Sequence, residues 1–148
     1  MRLSEIKIHL CPASSGRLKA FCSITFDHML VVRDIKLIDG DAGIFLAMPS
    51  RKLTDLCPRC HEKNHLRARF CNECGCKLDE RRHTNYRIGP DRLKLHADIA
   101  HPVNARARDD IHRQVVAAYE RELQLSYEPG YVPLPMDGEL MESRRGVG

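Results

Sequence analysis

Two Cys-x-x-Cys hooks constrain this chain more than any other feature. Cys57-Pro58-Arg59-Cys60 is followed, ten residues on, by Cys71-Asn72-Glu73-Cys74-Gly75. Each hook can present two thiolates to one side of a metal ion, and two hooks complete a tetrahedral four-sulfur shell. Pro58 fixes a backbone torsion inside the first hook, and Gly75 permits a tight turn after the second. The spacing therefore predicts a structural zinc site on Cys57, Cys60, Cys71 and Cys74. A disulfide pair and a thioredoxin-like redox site are the alternatives. The first is disfavoured because no signal peptide precedes the cysteines, the second because a redox site uses one hook rather than two. His61, His65 and Cys76 lie near enough to substitute as ligands, but four thiols already satisfy the metal, which leaves these three as bystanders.

At 148 residues there is room for one ordinary domain and a small accessory module. No run approaches the roughly eighteen apolar residues of a membrane helix. Residues 1–10 alternate polar and apolar and lack a hydrophobic signal core, so they read as a strand. Seven cysteines, four in a metal pattern, fit a reducing cytoplasm. Cys11 and Cys22 then read as small residues in or beside strands. A formal charge of +4 permits a nucleic-acid partner if the charge is concentrated. Trp is absent and aromatics total 5%, so no platform for stacking bases is obvious.

Ile6, Ile8 and Leu10 alternate with polar neighbours, the period of a half-buried strand. After the turn residues 12–16, Leu18, Ala20, Cys22, Ile24 and Phe26 share one face of a second strand. Asp27-His28 reads as a tight turn without the usual glycine. Residues 29–38 and 44–48 read as third and fourth strands, giving an antiparallel meander. Beyond the cysteines, Leu93, Leu95, Ala97 and Ile99 alternate as a fifth strand. Asn104 is an N-cap for a helix over 105–125 with Ile111, Val115 and Ala118 on one stripe. Asp109 and Asp110 early in that helix and Arg121 late in it suit its dipole. Residues 126–148 lack periodicity and read as a flexible tail.

Neither side of the cysteine module is complete alone: a four-stranded meander leaves a bare face, and the helix that can cover it lies beyond the module. The sequence therefore predicts an α+β fold, a small antiparallel β-sheet packed with a C-terminal helix and interrupted by an inserted zinc ribbon. Residues 1–52 and 92–125 would form the split host domain and 53–91 the insert, since long loop insertions cost little.

Three stretches of the first half and one of the second resemble the stage V sporulation protein G family, the septation regulators. They are Phe21-Cys22-Ser23-Ile24-Thr25-Phe26, Val31-Val32-Arg33-Asp34-Ile35-Lys36-Leu37-Ile38-Asp39-Gly40, Gly43-Ile44-Phe45-Leu46-Ala47-Met48-Pro49-Ser50-Arg51-Lys52, and Asp98-Ile99-Ala100-His101-Pro102-Val103-Asn104. The resemblance implies a sheet with a C-terminal helix, a homodimer formed through strands, and DNA or RNA binding that regulates gene expression. It also implies that the cysteine module replaces a short turn. Arg51 and Lys52 match the family's basic residues after the Met-Pro-Ser segment, and Arg108 matches a basic helix position. Asp110 departs, standing where the typical member has lysine.

Charge placement supports a nucleic-acid regulator. Residues 53–94 carry ten Arg and Lys against six Asp and Glu, and zinc with four thiolates leaves about +2. The positive field then depends on Arg67, Arg69, Arg81 and Arg82 clustering. The helix is balanced, although Arg106 and Arg108 at its start are placed to hold one phosphate. The alternative is an adaptor whose ribbon binds a partner protein. No enzyme is expected, because four thiolates close the metal shell and no catalytic constellation stands out.

Overall fold

The computed structural model describes residues 1–82, 87–89 and 92–134. Contacts divide the chain into two compact units, residues 1–49 with 100–148, and residues 50–99. Ser50–Lys52 and the segment 92–99, which the sequence pattern groups with the sheet, go with the cysteine unit instead.

The first unit is a four-stranded antiparallel meander and one helix, an α+β arrangement. Strands β1 (Leu3–Leu10), β2 (Leu18–Phe26), β3 (Leu30–Gly40) and β4 (Gly43–Ala47) pair in sequence order. Helix α1 (Ala105–Ser126) opens on Asn104, whose side-chain oxygen accepts the N–H of Ala107 at 2.8 Å. Ile8, Ala20, Cys22, Ile24, Ile35 and Leu37 of the sheet form one core with Val115, Ala118 and Tyr119 of the helix. His112 adds a polar tie, its Nε2 donating to the carbonyl of Ile44 at 2.8 Å.

Strict alternation cannot put both Val32 and Ile35 on the inner face, because three positions separate them. A bulge resolves this. Cys22 pairs with Ile35 and Ile24 with Val32, so Ser23 alone opposes both Arg33 and Asp34. Asp34 sits at φ 62°, in the left-handed region. Asp27 and His28 share that region (φ 50° and 56°), giving the glycine-free turn after β2. Bonds to β1 and to the residue before it secure it: the N–H of Arg2 reaches Asp27 Oδ1 at 3.0 Å, and the N–H of His28 reaches Ser4 Oγ at 2.9 Å.

Two expectations change. Asp109 and Asp110 fall beyond the first turn of α1 and Arg121 before its last, so the dipole gains little from them. Asp110 instead accepts from Arg113 at 2.6 Å and Gln114 at 3.0 Å on its own helix. Within the expected tail, residues 127–134 fold back. Tyr131 donates to Glu122 at 2.6 Å, and the Leu134 carbonyl accepts from His9 Nδ1 at 3.0 Å. Residues 135–148 of that tail lie outside the described residues, as do 83–86, 90 and 91 of the connector after Leu78.

The second unit is built from short pairs. Strand β5 (Ser50–Lys52) pairs with β10 (His96–Asp98), β6 (Thr54–Leu56) with β7 (Lys63–His65), and β8 (Arg87–Gly89) with β9 (Arg92–Leu93). The expected fifth strand of the sheet is thus two pieces, β9 and β10, paired elsewhere. Alternation reports a half-buried strand without naming the strand that supplies its ladder. Among the described residues the cysteine cluster packs Cys57, Cys71 and Leu78 with Ala68 and Cys76. Three of its five members are cysteines, which leaves too little apolar mass to fold without a cross-link.

Candidate metal centre and basic surface

The two hooks are copies of one turn. In the first, the N–H of His61 bonds the carbonyl of Cys57 at 2.9 Å and the N–H of Cys57 bonds the carbonyl of Glu62 at 2.9 Å. In the second, Gly75 bonds Cys71 at 3.1 Å and Cys71 bonds the carbonyl of Cys76 at 2.9 Å. The residue after each second cysteine is left-handed, His61 at φ 64° and Gly75 at φ 75°. Only Gly75 has the residue type this conformation favours. In each copy an amide points at the leading sulfur: Arg59 N–H at Cys57 Sγ and Glu73 N–H at Cys71 Sγ, both 3.4 Å.

Each of Cys57, Cys60, Cys71 and Cys74 has its Sγ within 4.8 Å of the other three. Cys57 Sγ lies 3.7 Å from Cys74 Sγ, and Cys60 Sγ 3.5 Å from Cys71 Sγ. A tetrahedron with metal–sulfur bonds of about 2.3 Å has edges of about 3.8 Å, so the cluster is sized for one ion. Cys57 and Cys71 are buried, Cys60 and Cys74 exposed. The Cys74 and Glu73 amides and the Asn64 side chain lower Cys71 to about 6 against the cost of burial. The Cys60 amide, chiefly, lowers Cys57. Contact with Cys57, then Cys74, pushes Cys76 up to about 12. Sulfurs this close cannot all ionise unless a cation joins them.

Cys76 stands 3.3 Å from Cys57 Sγ yet outside the four-sulfur set. It occupies the position in the second hook that Glu62 holds in the first. His65 turns its Nδ1 to the N–H of Arg67 at 3.1 Å.

Asn64 carries no periodic signal in the sequence, yet it ties the hooks together. It is 1% exposed. Its amide nitrogen donates to the Glu62 carbonyl at 3.1 Å and to Cys71 Sγ at 3.5 Å, and its oxygen accepts the N–H of Asn72 at 2.8 Å. Every polar atom of the side chain is used, which suits a group that orients ligands from outside the metal shell.

Arg82 likewise differs from expectation. It does not join a surface cluster with Arg67, Arg69 and Arg81. Its Nε bonds Asp55 Oδ2 at 2.6 Å, Nη1 the carbonyl of Asp79 at 3.1 Å, and Nη2 the carbonyls of His65, Leu66 and Ala68 at 3.2, 3.0 and 2.7 Å. The guanidinium fork is spent inside the unit.

Arg51 and Lys52 are exposed in β5, held in register opposite Ala97 and His96 of β10. Arg67 and Arg69 are exposed on the turn between Leu66 and Cys71, and Arg106 and Arg108 are exposed at the start of α1. None of the six has an ion-pair partner among the described residues. Among the described residues no helix is long and apolar enough to cross a membrane.

The family model described as SpoVG matches residues 1–121. A protein of Finegoldia magna named "Putative septation protein SpoVG" is 32% identical over 124 residues, 84% of this chain and 79% of the relative. A protein of the same name in Clostridium beijerinckii is 32% identical over 121 residues, covering 82% and 90%. Another in Myxococcus xanthus is 28% identical over 137 residues, covering 93% and 98%. The family match spans both halves of the sheet–helix unit and the cysteine unit between them: this chain belongs to the SpoVG family.

Proposed function

We propose that this protein is a nucleic-acid-binding regulator of the septation type, acting on DNA or RNA, with a structural zinc ion held by Cys57, Cys60, Cys71 and Cys74. The observation that carries the reading is the adjacent pair Arg51 and Lys52. A phosphate backbone needs cations that are exposed, without an ion pair and fixed in place. Pairing with β10 supplies the fixing, because neighbouring residues of a paired strand project to opposite faces at a defined spacing. Arg67, Arg69, Arg106 and Arg108 supply further contacts. Thiolate donors suit zinc, and four of them leave no open position for catalysis.

Binding of labelled single-stranded and duplex oligonucleotides, measured over a salt series, tests this. Affinity should fall with salt at a slope near 0.7 to 0.9 for each phosphate neutralised, so the slope should be about 1.4 to 1.8 less steep in Arg51→Ala/Lys52→Ala. An absence of binding at low salt, or an unchanged double variant, would sink the reading.

We also propose that two copies associate through the sheet. Strands β1 and β4 are its edges, and β4 carries Phe45 about half exposed. An unpaired apolar edge is a template for a further strand. Sedimentation of the native protein beside Phe45→Lys tests this, with the variant expected as a monomer.

A further inference from the structure

Phe70 is the only phenylalanine between residues 50 and 99, and the cysteine unit leaves it in solvent. It is 57% exposed and takes no part in the packing of Cys57, Cys71, Leu78, Ala68 and Cys76. A unit so short of apolar mass gains by burying a phenyl ring, so core formation does not explain this placement.

The cross-strand neighbour of the ring is a cation. Phe70 forms an isolated antiparallel bridge with Lys77. The flanking bonds run from the N–H of Leu78 to the carbonyl of Arg69 at 2.8 Å and from the N–H of Cys71 to the carbonyl of Cys76 at 2.9 Å. This makes Phe70 and Lys77 a non-hydrogen-bonded pair, the kind whose Cα atoms approach to about 4.5 Å and whose side chains share one face. Leu78 and Cys71 are buried on the other face, which turns Phe70 and Lys77 outward. Arg67 and Arg69 are exposed in the same turn. Lys77, Arg67 and Arg69 have no ion-pair partner among the described residues.

We infer that Phe70 and Lys77 form a stacking platform for single-stranded nucleic acid, the ring taking a base and the ammonium group its neighbouring phosphate. The inference rests on the nucleic-acid reading above and adds to it the form of the ligand. A base in a duplex has both faces covered by its neighbours, whereas an unpaired base offers a face to an aromatic ring, and the ring is indifferent to its identity. A flat apolar ring with a cation as its cross-strand partner, in a turn that also exposes Arg67 and Arg69, suits that ligand in shape and charge. It also changes the role of the cysteine hooks: the turn that places Cys71 on the metal is the turn that presents Phe70.

The chain has no tryptophan, so Phe70→Trp installs a single tryptophan, excited apart from the tyrosines, at the proposed contact. Its emission should be quenched by a dT or U homopolymer of about twenty nucleotides. Phe70→Ala should weaken the single strand about tenfold with an unchanged salt slope, while duplex affinity holds. Lys77→Ala should instead lower the slope by about 0.7. Phe70→Leu, which keeps an apolar side chain, separates stacking from folding: it should retain zinc and still lose single-strand affinity. Native-like single-strand binding by Phe70→Ala or Phe70→Leu would overturn the inference, as would Trp emission that does not move at saturation. In those cases the broader reading stands provided that the native protein binds and Arg51→Ala/Lys52→Ala weakens it. No binding of any oligonucleotide by the native protein at low salt overturns both.

Discussion

Asn64 donates its side-chain N–H to Cys71 Sγ across 3.5 Å while its carbonyl oxygen holds the amide of Asn72 at 2.8 Å. One buried side chain from the first hook's strand thus sets the position of the second hook's leading thiolate. Partners outside the metal shell typically contribute 10- to 100-fold in affinity. Asn64→Ala should therefore weaken zinc by about that factor in a competition titration with a chelator. Asn64→Asp should weaken it further, because a carboxylate there faces a thiolate and no longer donates to it.

Arg82 predicts a stability effect rather than a binding effect. Its removal leaves the Asp55 carboxylate, whose side chain is 19% exposed, without its partner and strips four carbonyls of a donor. Arg82→Ala should destabilise the zinc-loaded cysteine unit by about 2 to 3 kcal/mol. Arg82→Lys should recover only part of this, since a single ammonium cannot reproduce the fork. Chemical denaturation followed by amide signals of residues 54–82 measures both.

Cys57→Ser should release the metal and unfold the cysteine unit, yet leave the sheet and helix standing. The core of the first unit draws all its residues from outside 50–99. Zinc content by atomic absorption and helix content by circular dichroism separate the two effects. Collapse of the whole chain would show that the sheet depends on the ribbon.

Zinc affinity should fall steeply as pH is lowered. In the metal-free protein Cys71 keeps its proton below about 6, and Cys60, crowded by Cys71, Cys74 and Cys57 against the opposing pull of the Glu62 amide, is pushed up to about 12. Each must lose its proton to bind, so falling pH favours the metal-free form. Titration calorimetry in buffers of different ionisation enthalpy should show protons released for each zinc bound; no release would contradict this.

His61→Gly should stabilise the first hook. His61 occupies the left-handed position that Gly75 fills in the second copy. Relieving that conformation should contribute about 1 kcal/mol, visible as slower zinc release.

The residues that announced themselves did so through repetition. Ile6, Ile8 and Leu10, the five inward positions from Leu18 to Phe26, and the stripe through Ile111, Val115 and Ala118 each recur with a period that names the element. The hooks recur too, and the spacing of Cys57, Cys60, Cys71 and Cys74 is enough to bring four sulfurs together. What was not legible depends on single residues meeting across distance. Arg82 looks like any other surface arginine until Asp55, 27 positions away, takes its Nε. Asn64 is one asparagine among several. Residues 96–98 alternate as a strand should, but alternation is silent on the partner, and β5 supplies it. Phe70 reads as one more apolar residue of the cysteine unit, because one ring in a chain poor in aromatics has no pattern to belong to.

The bulge at Asp34 gives strand β3 one residue of slack. Ser23 faces two residues where a regular ladder would face one. Deleting Asp34 alone would bring Val32 and Ile35 into strict alternation without turning either away from the helix. Deleting Lys36, two positions on, would swing Leu37 out of the core. The sheet should therefore tolerate a length change at one point and fail at its neighbour, so that single-residue deletions along β3 map where the strand's phase is kept.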